Sequence, residues 1–183
     1  LSAYAVEENY TGITQQETLI VDVVKINPTT VDILFSNHQR MTLDFYGENI
    51  FRVFQDNSGG MLRVPEAKPE AKILVDQPRR GVSQLNIKNN GDFFSITSGK
   101  IKVEFDKSTA LMKVINLKTG VTVLEEAEPV LFDKERVILK LKENLQEYFY
   151  GGGVQNGRFS HKGKTISIEN QNSWTDGGVA SPN

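Results

Sequence analysis

Apolar and polar residues alternate with a period of two through most of the chain. The clearest run is Lys100-Ile101-Lys102-Val103-Glu104-Phe105, where every second side chain is apolar. Successive side chains of a strand point to opposite faces, so this run predicts a strand with one wet face. Residues 93–97 precede it across Ser98-Gly99, a two-residue turn whose glycine can take a positive φ. Residues 106–109 lead into a strand over 111–115, and the loop Leu117-Lys118-Thr119-Gly120 leads into another over 121–124. Short strands in meander order, separated by regular turn signals, predict a sandwich or barrel.

The first half has the same character. Residues 19–24, 31–35, 41–45 and 50–54 are rich in β-branched and aromatic side chains and predict four strands. Asn27-Pro28 and Ser36-Asn37 read as turns between the first three, and Asp56-Asn57-Ser58-Gly59-Gly60 ends the fourth. Residues 65–80 hold three prolines and many charges. They read as a long connection with an edge strand over 71–75 and a helix over 66–72 that Pro69 interrupts. Residues 85–87, 130–132 and 137–141 complete the strand set. No segment sustains a 3.6-residue period. The predicted fold is all-β, a two-sheet antiparallel β-sandwich with few or no helices. Its expected core is Val21, Val23, Ile33, Phe35, Leu43, Phe45, Val53, Ile101, Val103, Phe105, Val114, Val123, Leu139 and Leu141.

A chain of 183 residues can bury one sizeable core. Residues 1–15 are polar and predict an N-terminal arm. Residues 16–150 predict the sandwich, and 151–183 a loop segment. The net charge of -2 and the lack of a basic stripe argue against a nucleic-acid partner. No apolar run approaches the roughly 20 residues that span a bilayer, so no membrane partner is expected. The absence of Cys excludes disulfides, thiolate metal sites and cysteine nucleophiles. It leaves the compartment open, and a start without Met is compatible with an exported, periplasmic protein whose signal has been removed. No cofactor is expected: Gly151-Gly152-Gly153 lacks the spacing and the following helix of a phosphate loop. No metal is expected either, since His38 and His161 sit on separate turns without a third ligand pattern. No Gly-x-Ser-x-Gly elbow is present. The acidic stretch Glu125, Glu126, Glu128, Asp133 and Glu135 reads as a solvated edge.

The tail carries the candidate chemistry. Asn170, Gln171, Asn172, the single Trp174 and Asp176 lie within a few residues of one another, beside Gly177-Gly178. Sugars present hydroxyl groups and apolar C–H faces. Amides and carboxylates satisfy the hydroxyls, and an aromatic ring covers the face. The other reading is an ordinary polar loop whose Trp packs on the sandwich.

Glu147-Tyr148-Phe149-Tyr150-Gly151-Gly152-Gly153-Val154, with Arg158-Phe159 and Gly163-Lys164 after it, resembles the "YGLGE" segment of glycoside hydrolase family 31, the α-glucosidase and α-xylosidase group. Ile50-Phe51-Arg52-Val53 resembles that family's "lRVR" strand, and residues 100–124 resemble its paired strands and the turn between them. Gly152 and Val154 depart from the family's usual Leu or Phe and Glu. The resemblance implies a galactose-mutarotase-like N-terminal sandwich, with both catalytic Asp residues in a (β/α)8 barrel that follows. The mechanism implied for the parent enzyme is retaining hydrolysis of an α-linked oligosaccharide or glycoside. This chain stops at Asn183, before strand–helix alternation begins, so an inactive fragment is expected. Its role would be to pack on the catalytic barrel of the same parent chain and lend residues 168–178 to the substrate pocket. Asn172 stands where the family carries a sugar-contacting Asp, and Asp176 could supply the charge instead. A free-standing carbohydrate-binding module and a mutarotase-like enzyme in which His38 and His161 converge are the alternatives.

Overall fold

The computed structural model describes residues 19–55, 82, 85–132, 137–151, 160–163, 167–168 and 179–180. The chain divides into two compact units, Leu1–Lys142 and Glu143–Asn183. Every regular element among the described residues is a strand.

In the first unit, β1 (Ile20–Asn27), β2 (Thr30–Phe35), β3 (Arg40–Gly47) and β4 (Ile50–Gln55) form a four-stranded antiparallel meander. Six more strands form a second antiparallel meander: β5 (Asn86–Asn90), β6 (Phe93–Thr97), β7 (Ile101–Asp106), β8 (Met112–Asn116), β9 (Thr122–Phe132) and β10 (Val137–Leu141). Short polar turns enforce this order. Asn27 Oδ1 accepts the Thr29 N–H at 2.9 Å in the first turn. In the second, His38 takes φ 66° and donates its N–H to the Phe35 carbonyl at 3.0 Å.

The core lies between the two sheets. Val31, Ile33, Leu43 and Phe45 from the first sheet and Ile96, Val103 and Phe105 from the second are fully buried. Burying a side chain of this size contributes about 1.5–3 kcal/mol, so this cluster supplies the main drive to fold. Phe45 also stacks on Phe51, with ring centroids 5.4 Å apart. The alternation read at Lys100-Phe105 appears as buried Ile101, Val103 and Phe105 against half-buried Lys102, Glu104 and Asp106. At one end the sheets are tied through Ser98, whose hydroxyl donates to the Glu48 carbonyl at 2.5 Å. The Glu48 carboxylate lies against neighbouring Gly99, where a Cβ would make that flexible side chain move aside.

Several expectations need correction. Val21, Val123, Leu139 and Leu141 are not in the core: all four are exposed. The ladder slips at Val21, between Ile20 and Asp22, and Ile20 and Val23 take the inward places. Leu124 pairs with inward-facing Val114, which turns Val123 outward. Leu139 and Leu141 lie on the outermost strand of the wider sheet. Phe35 and Val53 are half-buried against the core, and the other eight expected residues are buried. The strands expected at 121–124 and 130–132 are one continuous strand, β9. The arm at 1–15, the helix at 66–72 and the edge strand at 71–75 lie outside the described residues.

Candidate functional site

The second unit holds the segment that resembles the family motif. Asn144 opens a tight turn: its carbonyl accepts the Glu147 N–H at 2.9 Å, and the Glu147 carboxylate accepts the Asn144 N–H at 3.1 Å. The Lys162 ammonium closes this turn from the other side. It donates to the carbonyls of Asn144 (3.3 Å), Leu145 (2.5 Å) and Glu147 (2.9 Å), and it lies 3.3 Å from the Glu143 carboxylate. It also sits 5.3 Å from the centroid of the Tyr148 ring, within cation–π range. This charge is engaged in holding backbone.

Tyr148, Phe149 and Tyr150 follow, all exposed. The Phe149 carbonyl accepts the His161 N–H at 2.8 Å. The His161 ring Nε2 lies 2.9 Å from the Gly151 carbonyl. A carbonyl only accepts, so Nε2 carries the proton. Gly151 has φ 99°, a conformation that a Cβ would strain. Glycine is thus needed where the aromatic run ends.

Of the sequence-predicted site, Asn170, Gln171, Asn172, Trp174 and Asp176 lie outside the described residues, as do Gly152 and Gly153. Their flanks are described. β11 (Ser167–Ile168) pairs in parallel with β12 (Val179–Ala180), with Ser167 beside Val179 and Ile168 beside Ala180. The two ends of the stretch that carries the candidate residues are therefore held side by side.

The sandwich contains two polar arrangements that the sequence reading missed. On the face of β2–β4 opposite the core, Thr30, Asp32, Thr42 and Asp44 are buried. Thr30 pairs across the ladder with Asp44, and Asp32 with Thr42. The Thr30 hydroxyl donates to Asp44 at 3.0 Å and the Thr42 hydroxyl to Asp32 at 2.8 Å. Arg40 lies 3.4 Å from Asp32 and Arg52 3.6 Å from Asp44. The Arg52 guanidinium also lies over the Phe54 ring, 4.6 Å from its centroid. Each buried carboxylate has a hydroxyl and a guanidinium, which offsets the cost of burying it. The available signal was Asp in mid-strand on alternate positions, where Asp is normally depleted.

The second arrangement is Glu126, which corrects the reading of the acidic stretch as a solvated edge. It is 1% exposed. Its Oε2 accepts the Met112 N–H at 2.8 Å, and Oε1 has no hydrogen-bond partner. Burial raises its pKa to about 7, against the lowering effect of the Met112 N–H. Its neighbour Glu125 faces the other way, toward Lys113 and Lys142, and the hydrogen bond from Lys142 holds its pKa below the usual range. Adjacent strand residues point to opposite faces, and at this place on β9 only the Glu125 side is open to water.

Two antiparallel sheets around one core, with no helix among the described residues, define a galactose-mutarotase-like β-sandwich. The chain belongs to the glycosyl hydrolase 31 N-terminal galactose mutarotase-like domain family, whose model matches residues 40–181. No curated protein sequence matches it. Among solved structures it is similar to the GH31 dextranase FjDex31A of Flavobacterium johnsoniae, solved as a D412A mutant with isomaltotriose. The TM-score is 0.70 at 13% identity, covering 91% of this chain and 20% of that one. It is similar to a GH31 α-xylosidase of Xanthomonas citri, with TM-score 0.56 and 21% identity over 77% of this chain and 16% of that one. An uncharacterised Listeria monocytogenes protein, solved with glucose, magnesium and calcium, has TM-score 0.59 at 15% identity. There the match covers 84% of this chain and 14% of that one. The chain thus spans about one fifth or less of each neighbour's length.

Proposed function

We propose that this chain is the non-catalytic N-terminal domain of a retaining α-glycosidase. In this reading the sandwich packs on the catalytic barrel of the parent chain. Residues 151–183 lead toward that barrel, and the stretch 168–178 contributes one wall of the substrate pocket. The observation that carries the reading is the family assignment over residues 40–181. The neighbours support the substrate class: one is a dextranase solved with isomaltotriose and another an α-xylosidase. The β11–β12 pairing supports the loop role, because a stretch with tethered ends presents its side chains from a fixed base. Asn170, Gln171, Asn172 and Asp176 offer hydroxyl-matching groups there, and Trp174 offers a ring for a sugar face.

The test is hydrolysis of a panel of aryl α-glucosides, α-xylosides and α-galactosides by this chain and by the natural full-length polypeptide. The expected result is turnover by the full-length polypeptide alone. Turnover by the 183-residue chain itself would place the chemistry inside the sandwich and overturn the reading.

A further inference from the structure

Four oxygen atoms of the second unit converge on one point, and the Lys162 ammonium stands there. They are the carbonyls of Asn144 (3.3 Å), Leu145 (2.5 Å) and Glu147 (2.9 Å) and a Glu143 carboxylate oxygen (3.3 Å). The Tyr148 ring adds its face, with its centroid 5.3 Å from the ammonium. Local chemistry shapes the turn that carries these carbonyls. Asn144 Oδ1 accepts the Gln146 N–H at 3.2 Å, and the Glu147 carboxylate accepts the Asn144 N–H at 3.1 Å. The lysine lies 15 to 18 residues further along the chain. It is brought in by its neighbour His161, whose N–H donates to the Phe149 carbonyl at 2.8 Å.

An ammonium has three N–H donors and no acceptor. Here it meets four oxygens and an aromatic face, more than three directed bonds can serve. The arrangement therefore reads a compact positive charge and not a set of N–H directions. Other lysines of the chain differ. Lys140 and Lys142 each meet one carboxylate, with side chains 55% and 54% exposed, against 30% for Lys162. Lys107 comes nearer, with the Asn89 side-chain oxygen, the Gly91 carbonyl and the Phe94 ring, but it gathers only two oxygens among the described residues. Without a cation, the carbonyl dipoles of Asn144, Leu145 and Glu147 would face one another and the Glu143 carboxylate with no charge between them. Rings of backbone carbonyls replace the hydration shell of potassium in the same way.

We propose that these groups form a seat for a monovalent cation, which the Lys162 ammonium fills as a tethered ion. With the lysine side chain cut back, the seat takes potassium or methylammonium from solution. The inference is independent of the N-terminal-domain reading. Calcium fits less well, because it gathers about six to eight oxygen ligands. An arginine also fits less well: its planar fork directs its bonds, whereas an ammonium is a point charge. In the native chain the seated cation acts as a clasp. It joins residues 143–147 to residues 160–163 and fixes the start of the aromatic run Tyr148-Phe149-Tyr150.

The experiment uses the 183-residue chain and reads hydrogen exchange at two amides beside the seat. These are Glu147, bonded to the Asn144 carbonyl, and His161, bonded to the Phe149 carbonyl. Lys162→Ala should speed exchange at both by about tenfold or more, the loss expected when hydrogen bonds to a charged group are removed. Potassium chloride or methylammonium chloride should restore slow exchange in a saturable way. Tetramethylammonium chloride at the same ionic strength should not, because it has no N–H group and is too bulky for the gap. Lys162→Met should exchange as fast as the alanine variant and stay fast in every salt, because its thioether chain fills the seat without a charge. Val103, on a central strand of the wider sheet, is the internal control and should not change. If Lys162→Ala unfolds residues 143–163 altogether, the same titration reads their refolding, and the expected order of the salts is unchanged. Exchange in the alanine variant as slow as in the parent sequence would overturn the proposal. So would equal rescue by tetramethylammonium, rescue of the methionine variant, a parallel change at Val103, or no rescue by any monovalent cation.

Discussion

Glu126 and Asp106 push stability in opposite directions as pH changes. Glu126 has its folded pKa raised to about 7 from 4.5, because burial disfavours the carboxylate. Below 4.5 both folded and unfolded states hold the proton, and the group contributes no penalty. As pH rises through that value the unfolded chain ionises while the folded one does not, so stability falls until about pH 7 and then levels. The loss is on the order of 3 kcal/mol. The chain should therefore show a higher urea midpoint at pH 5 than at pH 8. Glu126→Gln, which keeps an acceptor for the Met112 N–H, should flatten that difference. An equal slope in the variant would mean another group is responsible. Asp106 has its pKa lowered, chiefly by the Ser108 hydroxyl at 2.6 Å. Its contribution is present above the unfolded pKa and lost as pH falls below it, so it acts on the acid side of the Glu126 window.

At the scale of elements, one turn is built twice. Asp106 Oδ1 accepts the N–H groups of Ser108 and Thr109, both at 2.9 Å, and the Ala110 N–H returns to the Asp106 carbonyl at 2.9 Å. Ten residues on, Asn116 Oδ1 accepts from Lys118 and Thr119, and the Gly120 N–H returns to the Asn116 carbonyl at 2.8 Å. Both turns end in a left-handed residue, Ala110 at φ 59° and Gly120 at φ 69°. Ala110 bears the strain of that conformation while its methyl is buried in the core. A Cβ at Gly120 would meet nothing within 4 Å. Gly120→Ala should thus cost about 1–2 kcal/mol, with no packing return. Asp106→Ala, which frees two N–H groups and a hydroxyl to water, should cost about 1–2 kcal/mol. Urea unfolding measures both, and a neutral Gly120→Ala would show that the turn relaxes. These turns were legible in sequence, as were β7 and the β1–β4 meander, because local chemistry and period two agree there. The inward Glu126, the slip at Val21 and the uncovered Leu139 and Leu141 were not. Each depends on the register with the neighbouring strand or on what the opposite sheet covers, and a period along one strand carries neither.

At the scale of the whole molecule, the proposed reading sets the candidate site within a larger parent enzyme, and it is tested there. Among the described residues the two sheets share one core, and the proposed sugar-binding residues lie in sequence between β11 and β12. In the proposed reading Asn172 and Asp176 share the polar contacts of that stretch. A carboxylate can only accept hydrogen bonds, whereas an amide both donates and accepts. If Asn172 meets a sugar hydroxyl as an acceptor, Asn172→Asp in the full-length enzyme keeps that bond and strengthens it. If it donates, the same change leaves a lone pair facing a lone pair. Asp176→Asn reverses the experiment at the neighbouring position. The expected outcome for each loss of a matched bond is a fall in kcat/KM of about tenfold or more, since a hydrogen bond to a charged group contributes about 1.5–3 kcal/mol. The fall should differ between α-glucosides and α-xylosides, because xylose lacks the exocyclic hydroxymethyl group. Melting of the 183-residue chain should not change with either substitution. Equal kcat/KM for both variants on every substrate would remove the stretch from the pocket and leave the sandwich with a purely structural role.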